Sequence, residues 1–446
     1  MLRQTVLPFK LCSTDEKLTA HAGLTLVAET ATALGLPGAF QREFPAPGSN
    51  RGYQPWEFGL PLLLMLHGGG RTLEDLRVLA QDEGLKAALG LRIPSSDAVR
   101  NWLGRSGKGV GEAACARINR SLLNKTLRRH AGGAFTLDID ATFNEAHKRA
   151  AKMSYHGSPG YYPMSGWISN DAVELCVGFE YRDGNESPSA GNLDFIKHCF
   201  AQMPKGTKVG LVRSDAAAYQ VEIVDWCSTP KDGACDDAPR THFVIKAVQD
   251  ASVRRASDNI PQTDWQPLPA DLGEGEYAET VHCFNNGKYA FRLVVLRRPY
   301  QAELFEELDI ERAAGMRHFA IATNLESDAV EVIRSYNRRG QAENFIKELK
   351  IGYGMEYTPT GDFASNALWF ALGCIAFNLG QALKLLALGA DFARHTVATL
   401  RWRIYNRAAK LMRHAGAYWL RLSGGCNLLE LFTQVRTKLF EVQSTG

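Results

Sequence analysis

The 446 residues exceed the length at which a single hydrophobic core stops growing, so two or more packed units are expected. With 45% hydrophobic and 22% charged residues, the composition is that of an ordinary globular protein and excludes a low-complexity or disordered chain. A net charge of +3 leaves any attraction to a polyanion to local basic clusters.

In chain order, residues 18–129 read as helical, with apolar side chains at three- and four-residue spacing in 24–34, 60–66, 73–79 and 99–103. Breaks fall at Pro37, 45–50, 68–70 and Pro94. Such short helices joined by turns suit either a DNA-reading module or a cap on the main domain. At Phe135 the pattern changes: Phe135, Leu137 and Ile139 alternate with Thr136, Asp138 and Asp140, the period of a strand. Strands are predicted at 174–181 and 208–212, with a helix over 192–203 and a loop over 183–191 between them. Three more strand-like runs, 242–248, 277–284 and 289–296, are assigned to a β-rich insertion, with Asn285-Asn286-Gly287 as a hairpin turn. A buried strand over 317–323 and one long helix over 328–351 follow, and the last 56 residues are assigned to helix. The boundaries are thus 1–130 (helical), 131–230 and 313–390 (the two parts of a core), 231–312 (insertion) and 391–446 (basic, helical).

Nine scattered cysteines without a CxxC pair, and no secretory pattern at the start, point to reduced thiols and a cytoplasmic setting. Cys227, Cys235 and His242 fit no zinc spacing well. The longest apolar runs, 60–66 and 367–377, fall short of the roughly 18 residues a membrane helix needs, so no membrane partner is expected.

The chemistry lies in three acids. Asp140 closes a strand, where the ladder holds a carboxylate rigidly at the sheet rim, which suits a metal ligand. Asp138 faces the same way and is either its supporting partner or the ligand itself. A second apolar run, Val209 to Val212, ends in Arg213-Ser214-Asp215, so two strand ends closed by aspartate meet if the strands are neighbours. On the predicted helix, Tyr336, Arg339, Glu343, Lys347 and Lys350 fall within about an 80° wedge, beside an apolar arc of Ala342, Phe345, Ile346 and Leu349. Periodicity alone fits an ion-paired surface helix equally well.

The spacing of Tyr336, Arg339, Glu343 and Lys350 resembles the Tyr-Arg-Glu-Lys signature of bacterial insertion-sequence transposases of the DDE group with a β-rich insertion. Leu137-Asp138-Ile139-Asp140-Ala141-Thr142 and Val212-Arg213-Ser214-Asp215 resemble the first two acidic motifs of group 1 DDE transposases, and the match runs over about 135–380. The resemblance implies an α/β fold: a ribonuclease-H-like mixed sheet flanked by helices, interrupted by a β-rich insertion, with helical N- and C-terminal regions. It implies that Asp140, Asp215 and Glu343 hold two Mg²⁺ ions, with Mn²⁺ a possible substitute, and that Tyr336, Arg339 and Lys350 hold a DNA phosphate. Lys347 joins them only by its place on the helix face.

The implied partners are double-stranded DNA, as terminal inverted repeats and as target, and a second copy of the chain on DNA. The alternatives are a transposase-derived DNA-binding protein without cleavage activity and a phosphoesterase using the same carboxylates. Weaker candidates are the basic run His147, Lys148, Arg149 and Lys152 as phosphate contacts, and Trp265 as a base-stacking ring, against a solvated loop and ordinary packing. Tyr155, Tyr161 and Tyr162 are assigned to packing. From Asp391 onward nine Lys or Arg face three acids, which suggests a helical DNA-contacting surface.

Overall fold

The computed structural model describes residues 11–49, 51–128, 133–230, 239–299 and 316–444. Cys235, with the candidate zinc grouping, and residues 300–312 of the expected insertion lie outside them. The alternation at 135–140 forms strand β1 (Ala134–Ala141), with Phe135, Leu137 and Ile139 buried on one face and Thr136, Asp138 and Asp140 on the other. On one side β1 pairs antiparallel with β2 (Met164–Ser169), which pairs antiparallel with β3 (Glu174–Glu180). On the other side β4 (Lys208–Ser214) and β5 (His242–Lys246) follow in parallel. The order 3-2-1-4-5 is that of a ribonuclease-H-like sheet.

Strands β6 (Glu276–His282), β7 (Phe291–Pro299) and β8 (Met316–Thr323) continue from β5 as an antiparallel meander, with Gln266–Pro267 at the edge, so one sheet of nine strands results. Two assignments change. The run at 242 is a core strand, because it finds its ladder beside β4, and β6 and β7 extend the core sheet.

Helices α1 (Leu24–Ala33), α2 (Leu36–Glu43), α3 (Pro55–Gly68), α4 (Ser96–Gly109) and α5 (Gly111–Leu127) form the N-terminal region. Helices α6 (Asn192–Gln202) and α7 (Val221–Ser228) cover the sheet face that carries Leu137 and Ile139. Gly166 and Gly178 sit opposite each other in register under α6, where a Cβ on either would come within 2.6 Å of Cys199 Sγ. Their lack of a side chain lets the helix approach the sheet. Helices α8 (Ala329–Asn337), α9 (Gly340–Lys347) and α10 (Phe363–Leu383) lie on the opposite face, so the acids of β1 look toward α8 and α9.

Helix α10 is the spine that joins the terminal regions. It is buried almost all round, packing on α1, α3, α4, α5 and β3, and α11 (Gly425–Ser444) shares its core. The N-terminal helices therefore pack as a cap on α10. Residues Phe363–Leu388 are long and apolar enough to cross a membrane, with mean hydropathy 1.6, which the run-length reading missed because small and polar residues interrupt the run. That apolar stretch is 83% buried by the rest of the chain, as a core helix should be. Its buried Asn378 accepts from the Cys176 N–H at 2.8 Å and donates to the Cys176 carbonyl at 2.7 Å, satisfying the irregular pairing of β2 with β3.

Two further expectations are corrected. Residues 328–351 are not one helix: Asp328 caps α8, but the backbone tightens at Arg338 and Arg339, with the Arg339 N–H bonded to the Tyr336 carbonyl three residues back, before α9 begins. The C-terminal segment is only partly helical. Strands β9 (Ala409–His414) and β10 (Ala417–Leu422) form a ribbon that adds the short Leu18–Thr19 strand beside β9. Its turn uses Ala415 and Gly416 at positive φ.

Glu112, at the start of α5, accepts the Tyr181 N–H at 2.9 Å. Burial pushes its carboxyl up to about 8, against that N–H and with the nearby Glu180 charge adding to the rise. Because the folded value lies above the ordinary 4.5, this contribution to stability is fully present below pH 4.5 and is lost as pH rises toward 8. Glu112→Gln, which keeps the acceptor, is therefore expected to raise stability at pH 8 by about 1–3 kcal/mol after discounting for partial exposure, with little change at pH 4. Urea denaturation at the two pH values checks it; equal effects at both would refute it.

Candidate active site

Strands β1 and β4 run parallel with Asp138 opposite Arg213, and two residues further along each come Asp140 and Asp215. Parallel pairing thus puts the two strand-ending acids at the same rim of the sheet. The Asp215 carboxylate accepts the Ala217 N–H at 2.9 Å and caps the short turn Ala216–Ala218, which limits its rotation. Glu343 stands in the first turn of α9, which docks through buried Ala342, Phe345 and Ile346 and, just beyond it, Leu349, the arc expected from the spacing.

Arg339 joins the three acids. One terminal guanidinium nitrogen lies 3.3 Å from Asp140 Oδ2 and 3.9 Å from Asp215 Oδ2, and the other lies 2.7 Å from Glu343 Oε1. The carboxylates are spaced around this cation: among the described residues, no three His, Cys, Asp or Glu side chains lie close enough to form a ligand cluster by themselves. Accessibility is graded, with the Asp140 side chain 19% exposed, Asp215 39% and Glu343 59%. Burial pushes the Asp140 carboxyl up to about 6; Arg339 opposes the rise, while Asp215 and Glu343 add to it. Burial works against the Arg339 charge, yet Asp140 and Asp215 hold its pKa above the usual range.

Asp138 is committed elsewhere. Its two oxygens accept from Arg213 Nε and Nη2 at 2.6 and 2.7 Å in a nearly inaccessible fork, and burial raises its pKa despite that partner. The same guanidinium donates to the Ser335 carbonyl at 2.7 Å, tying β4 to α8 one residue before Tyr336. Both Asp138 oxygens are thus engaged by Arg213, whereas Asp140 faces Arg339. Arg213 escaped notice in the sequence, although its place in the Val-Arg-Ser-Asp motif, two residues before Asp215, put it in register with the residue two before Asp140.

The remaining residues of the wedge separate. Tyr336 is half-buried against Phe319, with ring centroids 5.3 Å apart, and burial raises its pKa. Lys350 Nζ donates to Thr142 Oγ1 at 3.3 Å and to the Phe143 carbonyl at 3.0 Å, so it reaches the chain just past Asp140; burial lowers its pKa. Lys347 makes no ion pair with the acids and lines a neighbouring cavity of about 1250 Å³ together with Arg338, Asn344 and Lys384. The break before Gly340 and the winding of the 348–352 turn divide the wedge among these surroundings.

Of the basic run, Lys148 lies over the Tyr357 ring at 5.7 Å and Arg149 is exposed in a turn, while His147 pairs with Glu145. Lys152 is exposed in the short Lys152–Met153 strand. Trp265 is covered by the Arg297 guanidinium at 4.1 Å, so packing wins over an open stacking surface. Tyr161 and Tyr162 are buried as assigned; Tyr155 instead is 67% exposed and stacks on Tyr162.

The family model described as Transposase DDE domain group 1 matches residues 9–444 of the chain. None of the curated proteins compared matches it. Among solved structures, a cryo-EM structure of the piggyBac transposase synaptic complex with hairpin DNA is similar at 9% identity and a TM-score of 0.44, covering 96% of this chain and 81% of that one.

Proposed function

The chain belongs to the Transposase DDE domain group 1 family, and on that premise we propose that it binds the terminal inverted repeats of a mobile element, cleaves the DNA strands there and joins the 3′-hydroxyl ends to target DNA. The observation that carries the proposal is the convergence of Asp140, Asp215 and Glu343 on one guanidinium.

The donor set fits divalent metal ions. Three carboxylates offer hard oxygen ligands of the kind Mg²⁺ and Mn²⁺ prefer, and Arg339 stands in as the cation they share. Asp140, Asp215 and Glu343 would hold the metal, which when bound supplies activation of the attacking water or 3′-hydroxyl and charge neutralisation at the leaving oxygen. Arg339 would take up phosphate oxygens, for which its planar fork is suited, with Tyr336 and Lys350 assigned to the same phosphate. Lys350 is held beside the end of β1 by Thr142 and Phe143. Lys148, Arg149 and Lys347 are assigned to flanking backbone phosphates, where each contributes salt-dependent affinity without base specificity. Holding two ends together implies two copies of the chain on DNA.

The test is nicking of a terminal-repeat duplex with and without Mg²⁺ in the presence of excess non-specific DNA. Mg²⁺-dependent nicks leaving 3′-hydroxyl ends at the repeat boundary are expected. Tight binding without nicking would replace this function with that of a DNA-binding protein lacking cleavage, and failure to bind DNA at low salt would leave a phosphoesterase of another substrate class.

A further inference from the structure

We propose that the β9–β10 ribbon is a docking surface for duplex DNA, outside the acid cluster, that enters a groove and meets the phosphates on its two walls through Arg421, on the face of Trp419, and Arg413, on the opposite face. The proposal rests on the DNA-processing function above. Between Asp391 and Glu430 the chain carries no acid, while seven lysines and arginines fall in that interval. Four of these are already engaged: Arg401 donates to the carbonyls of Leu66, His67 and Gly352, Arg403 meets His395, Arg407 donates to the Arg403 carbonyl, and Lys410 is paired with Glu16. Arg413 and Arg421 pair with no acid among the described residues.

The register explains the surface. Cross-strand partners share a face, so Lys410 with Arg421, Met412 with Trp419 and His414 with Ala417 line one side. Leu411 with Leu420 and, nearer the turn, Arg413 with Tyr418 line the other, and Leu411 is buried. Toward the turn both sides open, with Tyr418 61% and Trp419 58% exposed and the Arg413 guanidinium 5.9 Å from the Tyr418 ring centre. Among the described residues β10 has no strand on its outer side.

An exposed aromatic edge invites pairing with another strand, but a second copy of this ribbon would bring the same cations face to face. A polyanion reverses that penalty, and a two-stranded ribbon is of a size that a major groove admits. Duplex DNA is the occupant that satisfies both charge and shape.

The experiment measures binding of full-length protein to a mixed-sequence duplex across a salt series, for wild type, Arg413→Gln/Arg421→Gln, Trp419→Ala and Trp419→Tyr. The double variant is expected to bind at least about 10-fold more weakly near physiological salt and to lower the slope of log K against log salt by about 2, one counterion step per lost phosphate contact. Trp419→Ala weakens binding and Trp419→Tyr restores it, with thermal midpoints unchanged. An unchanged slope in the double variant, while wild type binds, overturns the ribbon alone. So does a change in sedimentation without DNA, which would assign the edge to a second copy. Absence of binding by wild type takes the DNA-processing function down with it.

Discussion

Replacing Asp140 by Asn is expected to cut metal-dependent strand cleavage by about three orders of magnitude or more without loss of fold. The catalytic half follows from the unit behaviour of groups that act together, where removing one member forfeits most of the effect. The structural half follows from burial. The Asp140 carboxyl is forced upward to about 6 because its charge is poorly solvated and lies near two other acids. In metal-free buffer this group favours the folded chain below its ordinary value and costs stability as pH rises through 6, so a neutral amide removes the cost. At pH 8 in chelator, Asp140→Asn should unfold at the wild-type temperature or slightly above it. Glu343→Gln should match it in lost cleavage and leave stability within about 0.5 kcal/mol, since that side chain is more than half exposed. Cleavage at the wild-type rate in either variant would remove that acid from the site. Loss of activity together with a large fall in thermal midpoint would make Asp140 a structural residue.

The second large effect lies one layer deeper. Arg213→Met should destabilise the protein by about 3–5 kcal/mol, because it leaves the Asp138 carboxylate buried without its fork and releases the Ser335 carbonyl. Changing both partners to apolar residues of similar volume, Asp138→Leu with Arg213→Met, should recover much of that loss, since a buried pair returns little more than its desolvation penalty. Chemical denaturation of the four proteins of the cycle measures the coupling. A cost below about 1 kcal/mol for Arg213→Met would show that the charge reaches water and that the fork is dispensable. The variant also bears on function, because Arg213 fixes α8 just before Tyr336 and Arg339.

The sequence made much of the site legible because its signals are local. Period-two alternation placed Asp138 and Asp140 on one face, away from Leu137 and Ile139, and the arc of Ala342, Phe345, Ile346 and Leu349 identified the docking side of α9. Alternation alone did not separate Asp138 from Asp140, and Asp140 was preferred as nearer the strand end; that Asp138 is forked by Arg213 is a matter of strand pairing. The surroundings of Lys347 were illegible for a related reason. The wedge presumed an unbroken helix, and the tightened turn at Arg338 and Arg339 set Lys347 toward another cavity. In the C-terminal segment, assigned to helix, the alternation of Ala409, Leu411 and Arg413 before a turn at Ala415-Gly416 was the overlooked mark of a ribbon.

By itself, then, the sequence determined the faces of its strands and helices, the acids that end β1 and β4, and the charge carried by each segment, because backbone period and side-chain chemistry are set within a few residues. Tertiary structure alone decided that β5 belongs to the core sheet, that Arg339 reaches all three acids and that Asp138 does not join them. Those outcomes depend on which strands share hydrogen bonds and on which charges are buried together, and both are settled between residues far apart in the chain.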